Sequence, residues 1–474
     1  MLMKNGTQSL TEQLASRFAQ RIREHLLAPG ARLPSVRQCA QQQGVSPSTV
    51  VGAYDLLLAQ GLVQARKNRG FFVRERAPGA EVPGRIGAPT DATPAQRAPM
   101  NATALIRGMF YSVSDKPQPG MGVLPQEWLR SSFLATALRR YTTVQALNAV
   151  SLQYGEPAGD SGLRRVLSST LAGLSVQASA AQIITTVGAT QALDLVSRTL
   201  LRAGDYVMVE EPGWSVEFAR LDALGMRILP VPRRAEGPDL EVMARYCAEY
   251  RPKLFVSVSV LHNPTGFSLS PYAAHAILQL AEQYQFHVVE DDTYSHFAPT
   301  HATRLSALDG LQRTIYVGGF AKILAPNWRI GYMAAPTALV ERLLDTKLLS
   351  TLTTPALLEK ALAWCVEQGQ LRRHSERIRQ QLDAARHRSV KLALAHGCRF
   401  AAEPVGIFGW VDTGVDTDVL AQRMLDEGYL IAPGALFHAQ RTPSPLMRIN
   451  FATTQEAAFW STLQRLRAEQ QKAA

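Results

Sequence analysis

Lys322 lies in Gly318-Gly-Phe-Ala-Lys322, a turn of small residues that follows a β-prone run from Thr314 to Val317. A lysine held in such a turn can form a Schiff base with an aldehyde cofactor. Arg329, seven residues on, can hold that cofactor's phosphate. Alone, the segment also fits an ordinary surface lysine. Four further segments, each placed after a β-rich run, add to it. Gly188-Ala189-Thr190 opens a helix, where glycine permits close approach and free amides favour phosphate. Trp214 follows Pro212-Gly213 and can stack on a planar ring. Asn263, in His262-Asn-Pro-Thr-Gly266, can donate an amide hydrogen to a ring oxygen. An ionised Asp291 can keep a pyridine nitrogen protonated, and Tyr294 can bond a phenolate oxygen. Each segment alone is compatible with a plain turn or a packing role. In this order, all at strand ends, they supply the parts needed to hold pyridoxal 5'-phosphate.

These residues need a frame that gathers strand ends. Ile183–Thr186, Tyr206–Glu210, Arg227–Val231, Leu254–Val258, His287–Glu290 and Thr314–Val317 read as strands with helices between several of them. That alternation predicts an α/β sheet with helices on both faces, and ligands in such sheets gather beyond the carboxyl ends of the strands. The chain of 474 residues is long enough for two or three domains. Its 46% hydrophobic and 19% charged content fits a globular class. No long uninterrupted apolar run suggests a membrane span, and no basic-then-apolar leader is seen. Cys39, Cys247, Cys365 and Cys398 are far apart and form no ligand pair, so no metal is expected. They read as free thiols of a reducing, cytoplasmic compartment.

The net charge of +11 is unevenly placed: residues 1–80 hold eleven Lys and Arg against four Asp and Glu. That points to a polyanion partner for the N-terminal part. Leu10, Leu14, Phe18, Ile22 and Leu26 form one apolar stripe of a first helix, which ends near Pro29-Gly30. A second helix is expected from Ser35 to about Gln43. Ser46 caps a third with Pro47 at its first position, running to about Gln60. In that third helix Val50, Ala53, Leu56 and Leu57 are expected inward, leaving Ser48, Thr49 and Tyr54 as polar groups for DNA. Two short strands, Leu62–Ala65 and Phe71–Val73, flank a basic tip of Arg66-Lys67-Asn68-Arg69-Gly70. The pattern is a winged helix-turn-helix, with the third helix in the major groove, the wing on the backbone, and Arg32 and Arg37 as backbone clamps. A small helical protein-binding module is the plainer alternative. The segment closely resembles the GntR-type winged helix, whose Gly-x-x-Leu-Pro-Ser-x-Arg stands here as Gly30-Ala-Arg-Leu-Pro-Ser-Val-Arg37. The stretch Ser46-Pro-Ser-Thr-Val50 with Ala53-Tyr54 and Leu57 is similar to that family's too.

Residues 76–103 are rich in Ala, Pro and Gly and read as an extended linker, so the basic domain, residues 1–75, is expected to be mobile. Residues 104–474 resemble the aspartate-aminotransferase fold, fold type I, with a large domain to about 370 and a small C-terminal α/β domain from 371. The resemblance implies Lys322 as the Schiff-base lysine, Asp291 as the ring-nitrogen partner, Asn263 and Tyr294 at the ring hydroxyl, and Trp214 stacked on the ring. It implies Arg329 with Gly188, Ala189 and Thr190 at the phosphate. Tyr154, in Tyr-Gly-Glu-Pro-Ala-Gly159, resembles the tyrosine that reaches the phosphate of a neighbouring subunit, which implies a homodimer. Arg448, in Met447-Arg-Ile-Asn-Phe451, resembles the substrate-carboxylate arginine; an edge arginine facing solvent is the alternative. One departure stands out. The family's Gly-Thr-Phe-Ser-Lys becomes Gly318-Gly319-Phe320-Ala321-Lys322, without either hydroxyl, which implies a weaker phosphate grip.

The whole arrangement resembles the MocR subfamily of GntR regulators. It implies a pyridoxal 5'-phosphate-dependent regulator that binds double-stranded operator DNA and senses an amine, an amino acid or a vitamin B6 compound. A genuine aminotransferase with an ancillary DNA-binding domain is the rival. A dimeric platform that has lost its cofactor is the third reading.

Overall fold

The computed structural model describes residues 9–23, 27, 30–66, 69–74 and 115–473. The linker at 76–103, Lys67 and Leu26 lie outside them. The N-terminal unit has three helices, α1 (Leu10–Arg23), α2 (Val36–Gln43) and α3 (Pro47–Ala59), and a hairpin of β1 (Val63–Arg66) and β2 (Gly70–Val73). Local chemistry sets these limits. Ser35 accepts from the Gln38 amide to start α2, and Gly44, at φ 64°, ends it. Ser46 accepts from the Thr49 amide and Pro47 takes the first helical turn of α3. The apolar stripe of α1, Leu14, Phe18 and Ile22, packs with Val50, Ala53 and Leu57 into one core. Residues 30–33 add a third strip to the hairpin: the Leu33 amide donates to the Phe71 carbonyl and the Val73 amide to Ala31.

Two expectations within α3 are corrected. Tyr54 is not a free polar group. It is fully buried, its hydroxyl donates to the Pro34 carbonyl at 2.9 Å, and its ring lies 4.9 Å from Phe71. Leu56, expected inward, is exposed at 37%. Two residues apart on the helix, the side chains point to roughly opposite faces, and the aromatic ring takes the inward place because it buries the larger apolar surface.

The large body is built on a seven-stranded sheet in the order β3-β9-β8-β7-β6-β4-β5. Its strands are β3 (Ile183–Thr186), β4 (Tyr206–Glu211), β5 (Arg227–Pro232), β6 (Leu254–Ser257), β7 (His287–Asp291), β8 (Thr314–Gly319) and β9 (Gly331–Ala334). β9 runs antiparallel to both β8 and β3; the β5-β4-β6-β7-β8 run is parallel. The sheet is buried on both faces: Ile315 and Val317 point into one layer, Tyr316 into the other. β9, Gly331-Tyr-Met-Ala334, is a strand beyond those the sequence predicts. It has no β-branched residue, and its place is set by neighbours on both sides.

Helices of this body include α4 (Gln126–Leu129), α5 (Ala189–Leu200), α6 (Thr337–Ser350) and the long α7 (Gln370–Ala395); α5 follows Gly188 and α7 carries His374. Beyond α7 a four-stranded sheet, order β10-β11-β13-β12, comprises β10 (Arg399–Phe400), β11 (Phe408–Asp412), β12 (Ala432–Pro433) and β13 (Leu446–Asn450). The helix α8 (Thr417–Asp426) packs on it. No helix among the described residues is long and apolar enough to cross a membrane.

Candidate functional site

The carboxyl ends of β3, β6, β7 and β8 bring Gly188, Asn263, Asp291 and Lys322 to one side of the sheet. Gly188 caps α5 at φ 82°, a conformation that favours glycine. A Cβ there would stand 2.7 Å from the Arg329 guanidinium, so the arginine lies directly against the start of the helix. Arg329 also donates to the Val187 carbonyl at 3.2 Å. Helix amides with an adjacent guanidinium form an anion cradle. Ala189 is half-buried in it, whereas Thr190 is exposed on the first turn of α5. Gly331 fits because a Cβ would come within 2.4 Å of the Gly188 backbone, which explains why β9 can pass behind the cradle.

Asp291 is 9% exposed, and its Oδ1 accepts from the Thr293 amide at 3.1 Å and from the Thr293 hydroxyl. Burial pushes its carboxyl up to about 6, partly opposed by the Thr293 bonds; nearby Glu217 adds to the rise. Glu217 is held by Arg220 in an ion pair at 2.5 Å. A cavity of about 30 Å³ is lined by Trp214, Glu217, Val258, His262 and Asp291, among others. It places the half-buried Trp214 on the same space as Asp291. The neighbour, Asp292, serves the core instead. It accepts from Arg304 at 2.6 Å and from the Tyr316 hydroxyl at 2.9 Å, wholly buried.

The Lys322 amine, half-buried, donates to the Gly122 carbonyl at 2.8 Å. Burial lowers its pKa to about 8, and the Arg448 guanidinium lowers it further, while Asp291 opposes the shift. Arg448 is 4% exposed, so it is no edge arginine facing solvent. It donates to Asn263 Oδ1 at 3.0 Å and to the Gly120 carbonyl, and its guanidinium stacks 4.5 Å from the Phe408 ring and 5.2 Å from Phe437. The Asn263 oxygen is thereby engaged, and its NH2 is the end left to donate. Tyr294 is buried with Phe408 at 5.5 Å, and burial raises its phenol. Tyr154 stands apart, 82% exposed on the chain's own surface.

Sequence reasoning missed the segment that lies across these groups. Pro119-Gly-Met-Gly122 presents two carbonyls to Arg448 and Lys322, and its paired glycines were the available signal. It also missed His374 of α7. The His374 Nε2 meets the Ile323 carbonyl at 2.8 Å beside Lys322, and its Nδ1 meets Arg377 at 3.0 Å.

On the N-terminal unit, Ser48, Arg37, Arg66 and Arg69 are exposed, while Thr49 and Arg32 are half-buried. Ser46 Oγ lies 2.8 Å from both the Ser48 and Thr49 hydroxyls. Arg32 lies against Gly70 of the hairpin, and Arg66 stacks 4.7 Å over Phe72.

Residues 134–466 match the family model of aminotransferase class I and II. The chain belongs to that family. Residues 10–73 match the model of the bacterial regulatory proteins of the gntR family, which gives this aminotransferase-family chain the two-part MocR arrangement. It is 28% identical over 451 residues to the uncharacterized HTH-type transcriptional regulator YdcR of Escherichia coli, covering 93% of this chain and 94% of that one. It is also 28% identical to aromatic-amino-acid aminotransferase 1 of Thermococcus litoralis, over 67% of this chain and 79% of that one. Among solved structures, the kynurenine aminotransferase of Pyrococcus horikoshii aligns with a TM-score of 0.69 and 27% identity over 78% of this chain and 94% of that one. The α-aminoadipate aminotransferase LysN of Thermus thermophilus gives a TM-score of 0.71 at 24% identity over 78% and 96% and shares the fold.

Pyridoxal 5'-phosphate is the cofactor of this family, and the residues present fit it. The cradle at Gly188 and Arg329 suits its phosphate. The buried Asp291 suits its ring nitrogen, and the lowered Lys322 amine suits its aldehyde.

Proposed function

We propose that this chain is a pyridoxal 5'-phosphate-dependent, DNA-binding transcriptional regulator whose aminotransferase-like body senses an amine, an amino acid or a vitamin B6 compound. The observation that carries it is one chain with two sites: a winged helix exposing Ser48 and Arg37, and a constellation of the half-buried Lys322 with the buried Asp291 and Arg448. The cofactor, when bound, supplies an aldehyde and an electron sink. The protein's part is to hold it. Asp291 keeps a carboxylate at the ring nitrogen, Asn263 and Tyr294 meet the ring hydroxyl, Trp214 covers the ring, and Gly188, Ala189, Thr190 and Arg329 hold the phosphate. Arg448 takes an effector carboxylate in bidentate fashion.

A homodimer completes the reading. Val144, Leu152, Tyr154, Leu349 and Leu352 are exposed apolar side chains at 78%, 76%, 82%, 92% and 49%. A second copy covers this face, and Tyr154 reaches the other copy's phosphate site. The setting is cytoplasmic and DNA-associated. Arg37, Arg32, Arg66, Lys67 and Arg69 take phosphates; Ser48 and Thr49 take base edges.

A second reading, a working aminotransferase, has its own support: lysine, aspartate and carboxylate arginine are all retained. Two measurements on the loaded protein separate them. The regulator binds duplex DNA selectively and salt-sensitively and turns over amino donor and oxo acid poorly. Enzyme-like sustained turnover without sequence-selective DNA binding would replace it by the aminotransferase. Absence of any lysine-linked cofactor after borohydride treatment would leave a structural platform.

A further inference from the structure

Glu217 is a carboxylate only 4% exposed, in the first turn of the helix Ser215–Ala223. Amides at a helix start favour an anion there. Trp214 caps the same helix three residues earlier, a spacing that puts both side chains on one face. Both line the cavity of about 30 Å³ that Asp291 also lines. Arg220 holds Glu217 in place. Its Nε donates to Oε2 at 3.1 Å and its Nη2 to Oε1 at 2.5 Å. The same Nη2 donates to the Ser197 hydroxyl at 3.0 Å, and Asp194, itself paired with Arg198 at 2.7 Å, lies 3.8 Å from Nη1. Arg220 does not line the cavity, so the ion pair turns its negative end toward Asp291.

The other ionisable groups around Asp291 have different tasks. Glu210 also lines the cavity, but its Oε1 accepts from Arg233 at 3.0 Å and Ser257 at 3.1 Å, and its Oε2 from the Val258 amide at 2.9 Å. His262 is buried, with Nδ1 at 2.9 Å from the Thr265 hydroxyl and Nε2 at 3.4 Å from Glu210. Burial, and then the Arg233 charge, hold its pKa well below the ordinary value, so it is neutral. Lys322 acts on Asp291 in the opposite sense to Glu217. After burial itself, Glu217 is the neighbouring charge that makes Asp291 hold a proton more tightly.

We propose that Glu217, fixed by Arg220, is a positioning residue for the proton shared by Asp291 and the ring nitrogen of pyridoxal 5'-phosphate. With Glu217 present, two negative groups rather than one act on that proton. The Asp291–nitrogen pair therefore keeps it to higher pH, and the ring stays an electron sink when an amine reaches Lys322. The proposal rests on Asp291 facing the ring nitrogen.

The test is binding to the full chain, freed of cofactor, of two ligands: pyridoxal 5'-phosphate and its carbocyclic analogue, in which a C–H replaces the ring nitrogen. The pH is set above the Asp291 value of about 6. Phosphate, aldehyde and packing are common to both ligands, so the ratio of affinities reads the ring nitrogen. Glu217→Gln lowers the preference for pyridoxal 5'-phosphate by about tenfold, the equivalent of one pKa unit. It also lowers the pH midpoint of the ring-nitrogen NMR signal of bound, labelled cofactor. Glu217→Asp, which keeps the charge, keeps most of the preference. Below the Asp291 value that carboxyl is already protonated, and the deficit of Glu217→Gln fades. Glu217→Gln leaves Arg220 unneutralised; should a melt show it unfolded, Glu217→Gln with Arg220→Gln takes its place and lowers the ratio in the same direction. Equal weakening of both ligands with an unchanged ratio makes Glu217 a packing group and overturns the proposal. So does a ratio in Glu217→Asp as low as in Glu217→Gln. Asp291→Asn separates the two layers. A ratio lowered by Asp291→Asn but not by Glu217→Gln sinks the role of Glu217 alone, whereas a ratio that Asp291→Asn leaves unchanged sinks the placement of Asp291 beneath it.

Discussion

The half-buried Lys322 and the buried Arg448 are two cations in one site, and their proximity makes a testable pH statement. The lysine's pKa falls from 10.5 to about 8, by burial first and then by Arg448. Between these values the unfolded chain binds more protons than the folded one. The cost of burying this group is therefore full below about pH 8 and gone above 10.5. The neutral amine is the nucleophile, so the rate of pyridoxal 5'-phosphate capture should rise with pH through about 8 and then level. Arg448→Ala removes a neighbouring positive charge and should move that midpoint upward, as stopped-flow absorbance across pH would show. A midpoint that stays put would mean the two groups do not interact. Lys322→Ala should abolish borohydride-stable labelling, and peptide mapping that finds the label on another lysine would refute the assignment.

At the scale of elements, Tyr54 and the segment across the site make contrary demands on small changes. Tyr54→Phe loses the hydroxyl bond to Pro34 but keeps the ring against Phe71. It should cost the winged helix about 1 kcal/mol and leave DNA sequence preference unchanged. A melt with parallel competition binding checks both halves, and altered preference would return Tyr54 to the DNA face. Gly120 has no such tolerance: a Cβ would lie 2.5 Å from the Ile431 backbone. Gly120→Ala should push the segment off Leu430, costing about 1–3 kcal/mol, and loosen the grip on Arg448. Faster hydrogen exchange at 116–122 is the expected readout, and wild-type exchange would show that the segment bends freely.

At the scale of the molecule, the basic unit and the apolar face make separate claims. Arg37→Ala should lower affinity on specific and random duplexes alike and flatten the salt slope by about 1, as one phosphate contact predicts. Loss confined to one sequence would make Arg37 a base reader. Leu349→Asp together with Leu152→Asp should give a monomer in sedimentation with the winged helix intact. A dimer that survives both changes would place the interface elsewhere.

Much of this protein is legible in its sequence, because much of the signal is local. Caps at Ser35 and Ser46, the stripe of α1 and the run of β-branched residues in the parallel strands are set within a few residues. So is the appearance of Gly188, Asn263, Asp291 and Lys322 directly after β-rich runs. Packing settles what depends on partners distant in the chain. β9 is a strand because β3 and β8 flank it, not because Gly331-Tyr-Met-Ala334 prefers extension. Tyr54 turns inward because Phe71 and the Pro34 carbonyl await it. Arg448 is a buried, aromatic-sandwiched cation rather than an edge residue only once Phe408 and Phe437 close on it. The contact of Arg21 with Asp426 joins residues 405 positions apart, a separation at which no periodicity or spacing carries information.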